Sequence, residues 1–187
     1  MKFPESLIAH VLLDGKKGLE IGPSAHNPFG LDTIKVGRDT KGTVYEAEEL
    51  RICGEVQKLD YFCEGDDLPF RDGMFDFVVA SHVLEHFPDP IKAIKEWLRV
   101  VRRYGIVFII FPHKDRTFDQ DKPRTTLNQL VLRHQQAETS REAQDDHHTI
   151  WITEDALELC AAMSWPVLLW RDADDKVGNG FLFCIQK

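Results

Sequence analysis

The chain has no excess of positive charge and no apolar run long enough to cross a membrane. Its 187 residues carry 23 Lys and Arg against 31 Asp and Glu, which gives a net charge of −8. Nucleic acids and anionic membranes are recognised by basic surfaces, and a membrane-spanning helix needs about 20 apolar residues. The N-terminal stretch also lacks an apolar segment followed by a cleavage site. We therefore expect neither a nucleic-acid partner nor a membrane partner.

Cysteine is scarce and unpaired in the sequence. The four cysteines are widely separated and form neither a C-x-x-C pair nor the dense pattern of a small secreted domain: Cys53, Cys63, Cys160 and Cys184. This usage is typical of reduced thiols in a cytoplasmic protein. The length accommodates one domain, residues 1–187, with a full hydrophobic core.

The most informative stretch is a short apolar run that ends in polar residues. Residues 75–80 are almost entirely apolar, which is typical of a strand buried on both faces of a parallel sheet. Ser81 and His82 interrupt the run, and Asp89-Pro90 then provides an N-cap and a first-turn proline. The helix that follows is predicted to end at Gly105, with three arginines near its C-terminus: Arg99, Arg102 and Arg103.

Strands and helices alternate along the rest of the chain. Other strands are predicted at residues 17–21, 33–36, 56–63, 106–111, 167–170 and 181–185, and the last two form an antiparallel pair. The segment between the first two strands contains too many prolines and glycines for a regular helix. This order predicts an α/β protein with a doubly wound, mostly parallel sheet and one antiparallel strand near an edge.

Two motifs in this order suggest a family. The segment FDFVVASHVLEHF at residues 75–87, preceded by EGDDLPF at residues 64–70, resembles the small type 11-like group of class I S-adenosylmethionine-dependent methyltransferases. The resemblance extends from about residue 18 to residue 111. It implies a Rossmann-like, three-layer α/β/α fold with seven strands, the last one reversed. It also implies S-adenosylmethionine as cofactor and methyl transfer to a small-molecule or glycan-type acceptor.

The resemblance carries cofactor roles onto the first strand and its turn. Glu20 corresponds to the acid near the cofactor amino group, the backbone of Gly22 lies against the methionine part, and Ser24 is placed to contact the carboxylate. The family usually has several glycines in this turn, whereas only Gly22 is present here. The usual ribose-binding acid falls at Gly37, so either Asp39 takes that role or the ribose is held elsewhere.

Two later turns complete the cofactor site implied by the resemblance. Glu64 aligns with the residue that accepts from the adenine amino group, Gly65 with a backbone donor to the ring, and Asp66 lies in the same turn. Ser81 and His82 border the methionine end.

The acceptor side is predicted from a set of polar residues after the fourth and fifth strands. His86 and His113 are candidate general bases, because imidazole titrates near neutral pH. The predicted acceptor pocket contains these two and four further loop residues: Asp115, Asp146, His147 and His148. Asp119 and Asp145 belong to the same polar set of loop residues. The loops at residues 112–126 and 145–149 are expected to cover one cavity that His86 faces. The spacing of this set matches no defined metal site, so no metal is assigned.

Three alternatives compete with methyl transfer. Residues 82–86 also spell H-x-x-E-H, an inverted zinc-peptidase signature, which requires a helix presenting both histidines. A nicotinamide-dependent dehydrogenase would share the fold, but its G-x-G-x-x-G turn is absent. The third alternative is a binding or regulatory protein of the same fold with weakened cofactor affinity, which the single glycine and the missing ribose acid favour.

Overall fold

The computed structural model describes residues 2–136 and 147–187, which form a seven-stranded sheet with five α-helices. The strands are β1 (Gly18–Ile21), β2 (Thr33–Gly37), β3 (Tyr61–Phe62), β4 (Phe75–Ser81), β5 (Val101–Pro112), β6 (Val167–Arg171) and β7 (Gly180–Gln186). The helices are α1 (Leu7–Leu13), α2 (Val44–Cys53), α3 (Pro90–Val100), α4 (Leu127–Gln135) and α5 (Thr153–Ala162). Short 3₁₀ turns occupy Leu84–His86 and Lys114–Arg116.

The sheet has the order β3-β2-β1-β4-β5-β7-β6. The first five strands in this order run parallel, and β7 is antiparallel to both β5 and β6. The predicted doubly wound α/β sheet of seven strands with the last one reversed is therefore confirmed. No helix of the described residues is long and apolar enough to span a membrane.

The strand β4 separates two hydrophobic cores. Val78 and Ala80 pack with α3, α4 and α5 on one face, whereas Phe77 and Val79 pack with α1 on the other. Successive side chains of a strand point to opposite faces, so an apolar residue at every position is what a central strand in a three-layer α/β/α fold requires. The near-continuous apolar run of residues 75–80 reflects this double burial.

The carboxyl ends of the central strands meet at one edge. Ile21 is in register with Ala80, and Ser81 with Ile110, so the turns after β1, β4 and β5 begin close together. Ligands of open α/β sheets bind outside this edge. The segment between β1 and β2 contains no helix, as its prolines and glycines predict.

The third strand is shorter than the sequence predicted. Only Tyr61–Phe62 pair with β2, although residues 56–63 were expected to form a strand. The backbone N–H of Gln57 instead donates to the Glu49 carboxylate on α2, at 2.9 Å. A side chain thus satisfies a backbone N–H that would otherwise be available for hydrogen bonding within the sheet.

The predicted end of α3 was also wrong. The helix ends at Val100 and β5 begins directly at Val101, which pairs with Phe75. Arg102 and Arg103 therefore lie on the strand rather than at a helix C-terminus, and Arg102 forms an ion pair with Asp76 at 2.5 Å. A left-handed residue, Tyr104 at φ 64°, shifts the strand register before its buried part.

Candidate functional site

The turn after β1 is shaped by one glycine. Gly22 has φ 58°, a conformation that favours glycine, and an added Cβ would lie 2.8 Å from Val83 Cγ2. Its N–H donates to the Val36 carbonyl at 2.8 Å, which ties the turn to β2. The single glycine therefore supports the tight turn that the sequence predicted.

A small cleft lies beside this turn and contains a buried acid and a buried acceptor atom that no described residue satisfies. Its lining includes Glu20, Gly22, Ser24, Asn27 and Ser81. Glu20 is 3% exposed and accepts a hydrogen bond from Thr33 at 3.1 Å, and burial raises the pKa of its carboxyl. Asn27 donates to Ser81 at 3.1 Å, while its Oδ1 atom is buried and accepts from no described residue. A buried acid and a spare amide oxygen suit a ligand that donates hydrogen bonds, such as an ammonium group.

A buried lysine balances part of the negative charge of this cleft. Lys176 is 5% exposed, donates to the Pro28 carbonyl, and lies 4.3 Å from the centroid of the Phe29 ring. Burial lowers the pKa of Lys176 to about 8, against the attraction of Glu20 and other nearby acids. The lysine comes from the segment before β7 and reaches the turn after β1.

The outer end of the glycine turn is held by internal hydrogen bonds. The Ser24 hydroxyl lies 2.6 Å from His26 Nδ1, and the Ala25 N–H donates to Glu49 at 2.7 Å. The side chain of Ser24 is thus engaged locally although it lines the cleft. Its predicted contact with a cofactor carboxylate stays a prediction.

The residues predicted to bind ribose and adenine lie at the ends of β2 and β3. Glu64 forms an ion pair with Arg38 at 2.6 Å, and both side chains are 41% exposed. Asp39 is exposed and accepts from the N–H of Lys41 at 3.0 Å, which closes a local turn. No described contact directs Asp39 toward the cleft, and its ribose-binding role stays a prediction.

Gly65 and Asp66 hold the turn after β3 against α3. A Cβ on Gly65 would lie 2.8 Å from Ile21 Cγ2, and the Gly65 carbonyl accepts from the Trp97 indole at 2.7 Å. Asp66 is buried and pairs with Lys92 at 3.1 Å. Both residues therefore have structural contacts in addition to the predicted roles at the cofactor.

His82 follows β4 in an unusual backbone conformation. Its φ is 54°, its Nε2 atom is shielded from solvent, and burial lowers the pKa of its imidazole to about 4. His86, by contrast, lies in a three-residue 3₁₀ turn. The H-x-x-E-H segment thus lacks the helix that the peptidase alternative requires.

A cluster of acidic and imidazole side chains lies beyond His82. Glu85 is 1% exposed, and its Oε1 atom lies 3.8 Å from Nε2 of both His86 and His147. Burial raises the pKa of the Glu85 carboxyl to about 8. His147 Nδ1 lies 2.5 Å from a carboxylate oxygen of Asp119, which also pairs with Lys122 at 2.9 Å. The structure thus brings residues of the two predicted loops together beside His86.

The other predicted acceptor residues lie around this cluster or apart from it. The His148 N–H donates to the Glu85 carbonyl at 2.8 Å. His113 lies 3.8 Å from Asp172 and accepts from the N–H of Asp115, whose carboxylate is 66% exposed. Asp145 and Asp146 fall outside the described residues.

Sequence reasoning missed three residues of this edge: Asn27, Lys176 and Glu85. Asn27 lies in an irregular loop, and Lys176 is separated from the glycine turn by about 150 residues. No local pattern links them. Glu85 was noted only within H-x-x-E-H, and its burial follows from the 3₁₀ turn that directs it inward.

Comparison with known proteins shows what this chain is similar to. Residues 31–109 match the model of a methyltransferase domain of the type 11 group. An uncharacterized protein of Methanocaldococcus jannaschii is 34% identical over 93 residues, which cover 50% of this chain and 43% of that protein. A human protein named "Probable tRNA methyltransferase 9B" is 28% identical over 144 residues, 74% of this chain and 29% of that protein. The chain thus spans less than half the length of these relatives.

Solved structures show the same fold. A SAM-dependent methyltransferase from Thermotoga maritima aligns with a TM-score of 0.57 and 16% identity, over 96% of this chain and 86% of that chain. Together with the family model, this likeness confirms the resemblance drawn from the motifs. Residues 31–109 therefore match a type 11 methyltransferase domain, and the described residues share the fold of the S-adenosylmethionine-dependent methyltransferases. The family match begins at residue 31, so it does not include Glu20 and Gly22.

Proposed function

We propose that the chain binds S-adenosylmethionine at the carboxyl edge of the sheet and transfers its methyl group to a small-molecule or glycan-type acceptor. The observation that carries this proposal is the cleft beside Gly22, where the buried Glu20 carboxylate and the spare Asn27 Oδ1 atom lie together. Two acceptors in one enclosed site match the amino group of a methionine moiety.

The residues of this edge fit the cofactor better at one end than at the other. Glu20 and Asn27 would hold the amino group, and the Gly22 backbone would lie against the methionine chain. Glu64 would accept from the adenine amino group, but its carboxylate is paired with Arg38. When bound, the cofactor supplies a methyl group already activated on a sulfonium centre. The chain itself must then align the acceptor and exclude water.

A general base is needed when the acceptor is a hydroxyl or a protonated amine. His86 and His113 are the proposed bases. Burial lowers the pKa of His113, which keeps its imidazole neutral at neutral pH and able to accept a proton. His86 lies beside Glu85 and His147, where an acceptor could approach from its partly exposed side.

The acceptor class is inferred from charge. The net charge of −8 opposes binding to a polyanion, which favours a small molecule or glycan over RNA. One relative is nevertheless named as a tRNA methyltransferase, so RNA has to be tested. The four free cysteines agree with a cytoplasmic location.

The experiment combines binding with transfer of a labelled methyl group. Calorimetry with S-adenosylhomocysteine should detect one site per chain, and label from S-adenosylmethionine should enter a low-molecular-mass or glycan fraction. Transfer should be lost in Glu20→Gln. Incorporation into tRNA alone would contradict the proposed acceptor class.

The binding-protein alternative is favoured by one observation, the Arg38–Glu64 ion pair that occupies the predicted adenine position. It predicts no heat of binding even at millimolar S-adenosylhomocysteine. That result would contradict the enzymatic proposal and leave the fold assignment intact.

A further inference from the structure

We infer that Glu85, His86 and His147 form a binding site for one divalent transition-metal ion of the zinc type. The site is separate from the glycine turn, and metal binding there does not depend on methyl transfer. With the metal bound, the lone pair of His86 is occupied, so His113 remains as the proposed general base. One carboxylate and two imidazoles can each offer one ligand atom, and these three atoms lie within 4.8 Å of one another.

The first argument is the burial of Glu85 without compensation. Its side chain is 1% exposed, and neither carboxylate oxygen accepts a hydrogen bond from another described residue. Its Oε1 atom lies 3.8 Å from the imidazole Nε2 atoms of His86 and His147. A buried carboxylate is normally paired with a cation or coordinates a metal, because burial of an isolated charge is unfavourable.

The second argument is the orientation of His147. Its Nδ1 atom lies 2.5 Å from Asp119, which is 2% exposed, so the ring proton belongs between these two atoms. The Nε2 lone pair then faces Glu85 Oε1 at 3.8 Å. Two electron-rich atoms that face each other form a favourable position for a positive centre between them. Metal-bound histidines commonly donate their second N–H to a carboxylate in this way.

The distances suit a metal with tetrahedral geometry. Glu85 Oε1 lies 3.8 Å from Nε2 of His86 and of His147. Ligand atoms about 2.0–2.1 Å from a tetrahedral zinc lie roughly 3.3 Å apart, and small rotations of the two rings close the difference. The T-shaped ring contact, with centroids 5.0 Å apart, leaves both nitrogens on the Glu85 side.

The ligand set selects the kind of metal. Two nitrogens and one oxygen favour zinc or a neighbouring first-row ion, whereas magnesium and calcium need more oxygen ligands. Three protein ligands leave at least one coordination position for water or another oxygen ligand. The His86 side chain is 27% exposed, which provides access from solvent.

The test is metal binding by the untagged wild-type chain after treatment with a chelator. Titration with Zn²⁺ should show one tight site per chain, and Co²⁺ should give the visible absorption of a four-coordinate site. His147→Ala should weaken zinc binding at least tenfold. Asp119→Asn, which keeps all three ligands, should weaken it about 10- to 100-fold, as loss of a second carboxylate contact does.

His10→Ala is the matched control. His10 also lies between two carboxylates, 2.6 Å from Asp14 and 3.3 Å from Glu5, but on α1, outside the Glu85 cluster. Its loss should leave zinc affinity unchanged. Circular dichroism identifies variants that fail to fold, and the Co²⁺ spectrum of the wild-type chain decides the question without any substitution. Absence of a stoichiometric site in the wild-type chain, or full affinity in folded His147→Ala, would overturn the inference.

Discussion

The two ends of the carboxyl edge differ in how their acidic residues are partnered. At the end formed by β1 and β4, Glu20 is 3% exposed and lies in a cleft with a spare amide oxygen. At the end formed by β2 and β3, Glu64 is 41% exposed and paired with Arg38. The first end keeps acceptors available for a ligand, whereas the second must exchange an ion pair first. We therefore expect binding energy to come mainly from the methionine end.

The largest effect on ligand affinity should come from Glu20→Gln, which is compared with the same Glu-to-Gln change at Glu64. Glu20→Gln removes a buried negative charge beside the proposed amino group, and a hydrogen bond to a charged group contributes roughly 1.5–3 kcal/mol. The affinity for S-adenosylhomocysteine should fall about 10- to 100-fold in calorimetry. Glu64→Gln should reduce it much less. Equal losses of ligand affinity in the two variants would contradict the prediction that binding energy comes mainly from the end at Glu20.

A second prediction concerns the lysine that accompanies Glu20. Folding lowers the pKa of Lys176 from 10.5 to about 8, so the unfolded chain binds more protons between these pH values. Relative to Lys176→Met, the free energy of unfolding of the wild-type chain should then rise by on the order of 2 kcal/mol as pH increases from 8 to 10.5, and this gain should be lost as pH falls back to 8.

Chemical denaturation at pH 7.5 and pH 10 checks this prediction. Burial raises the pKa of Cys160 and of Cys184 to about 12, which lowers the stability of both chains as pH rises, so the difference between the two chains is the quantity to compare. A difference that stays constant between pH 7.5 and pH 10 would show that Lys176 keeps its ordinary pKa and that the methionine end is less enclosed than described.

A smaller effect is expected at the turn itself. Gly22→Ala places a Cβ 2.8 Å from Val83 in a left-handed backbone, which costs about 1–2 kcal/mol. Gly54→Ala is the control, because Gly54 has φ 74° but no atom within 4 Å of its added Cβ. Both variants should lose stability, while only Gly22→Ala should also bind S-adenosylhomocysteine more weakly. Unchanged ligand affinity in Gly22→Ala would show that the turn at Gly22 does not form part of the ligand-binding site.

The smallest effect is predicted at the adenosine end. Arg38→Ala removes a partly exposed ion pair, which contributes about 0–1 kcal/mol to stability. The free energy of unfolding should change by less than about 1 kcal/mol, and ligand affinity should stay the same or rise as Glu64 is released. A large loss of affinity would mean that Arg38 itself contacts the ligand.

The sequence predicted the parts of the fold that depend on local patterns. The double burial of β4 is visible in the apolar run that includes Phe77 and Val78, and the mostly parallel sheet with a terminal antiparallel pair follows from the alternation of strands and helices. The end of α3 was not predictable in this way. It depends on pairing between Val101 and Phe75 and on a left-handed turn at Tyr104.

The candidate site could be predicted only where its functional residues lie close together in the sequence. Glu20 and Gly22 are two residues apart, so their joint position at the end of β1 follows from the chain itself. Lys176 and Asn27 come from distant segments, and only the folded sheet brings them to this edge. The contact of His147 with Asp119 likewise depends on two loops that are 28 residues apart.

One measurement tests most directly whether the methionine end holds the methyl donor. Calorimetry should compare S-adenosylhomocysteine with methylthioadenosine, which lacks the amino-acid moiety, on the wild-type chain and on Glu20→Gln. We predict that methylthioadenosine binds at least tenfold more weakly to the wild-type chain and that Glu20→Gln leaves its affinity unchanged. Equal affinities of the two ligands for the wild-type chain, or an equal loss for both in Glu20→Gln, would contradict the assignment of the cleft beside Gly22.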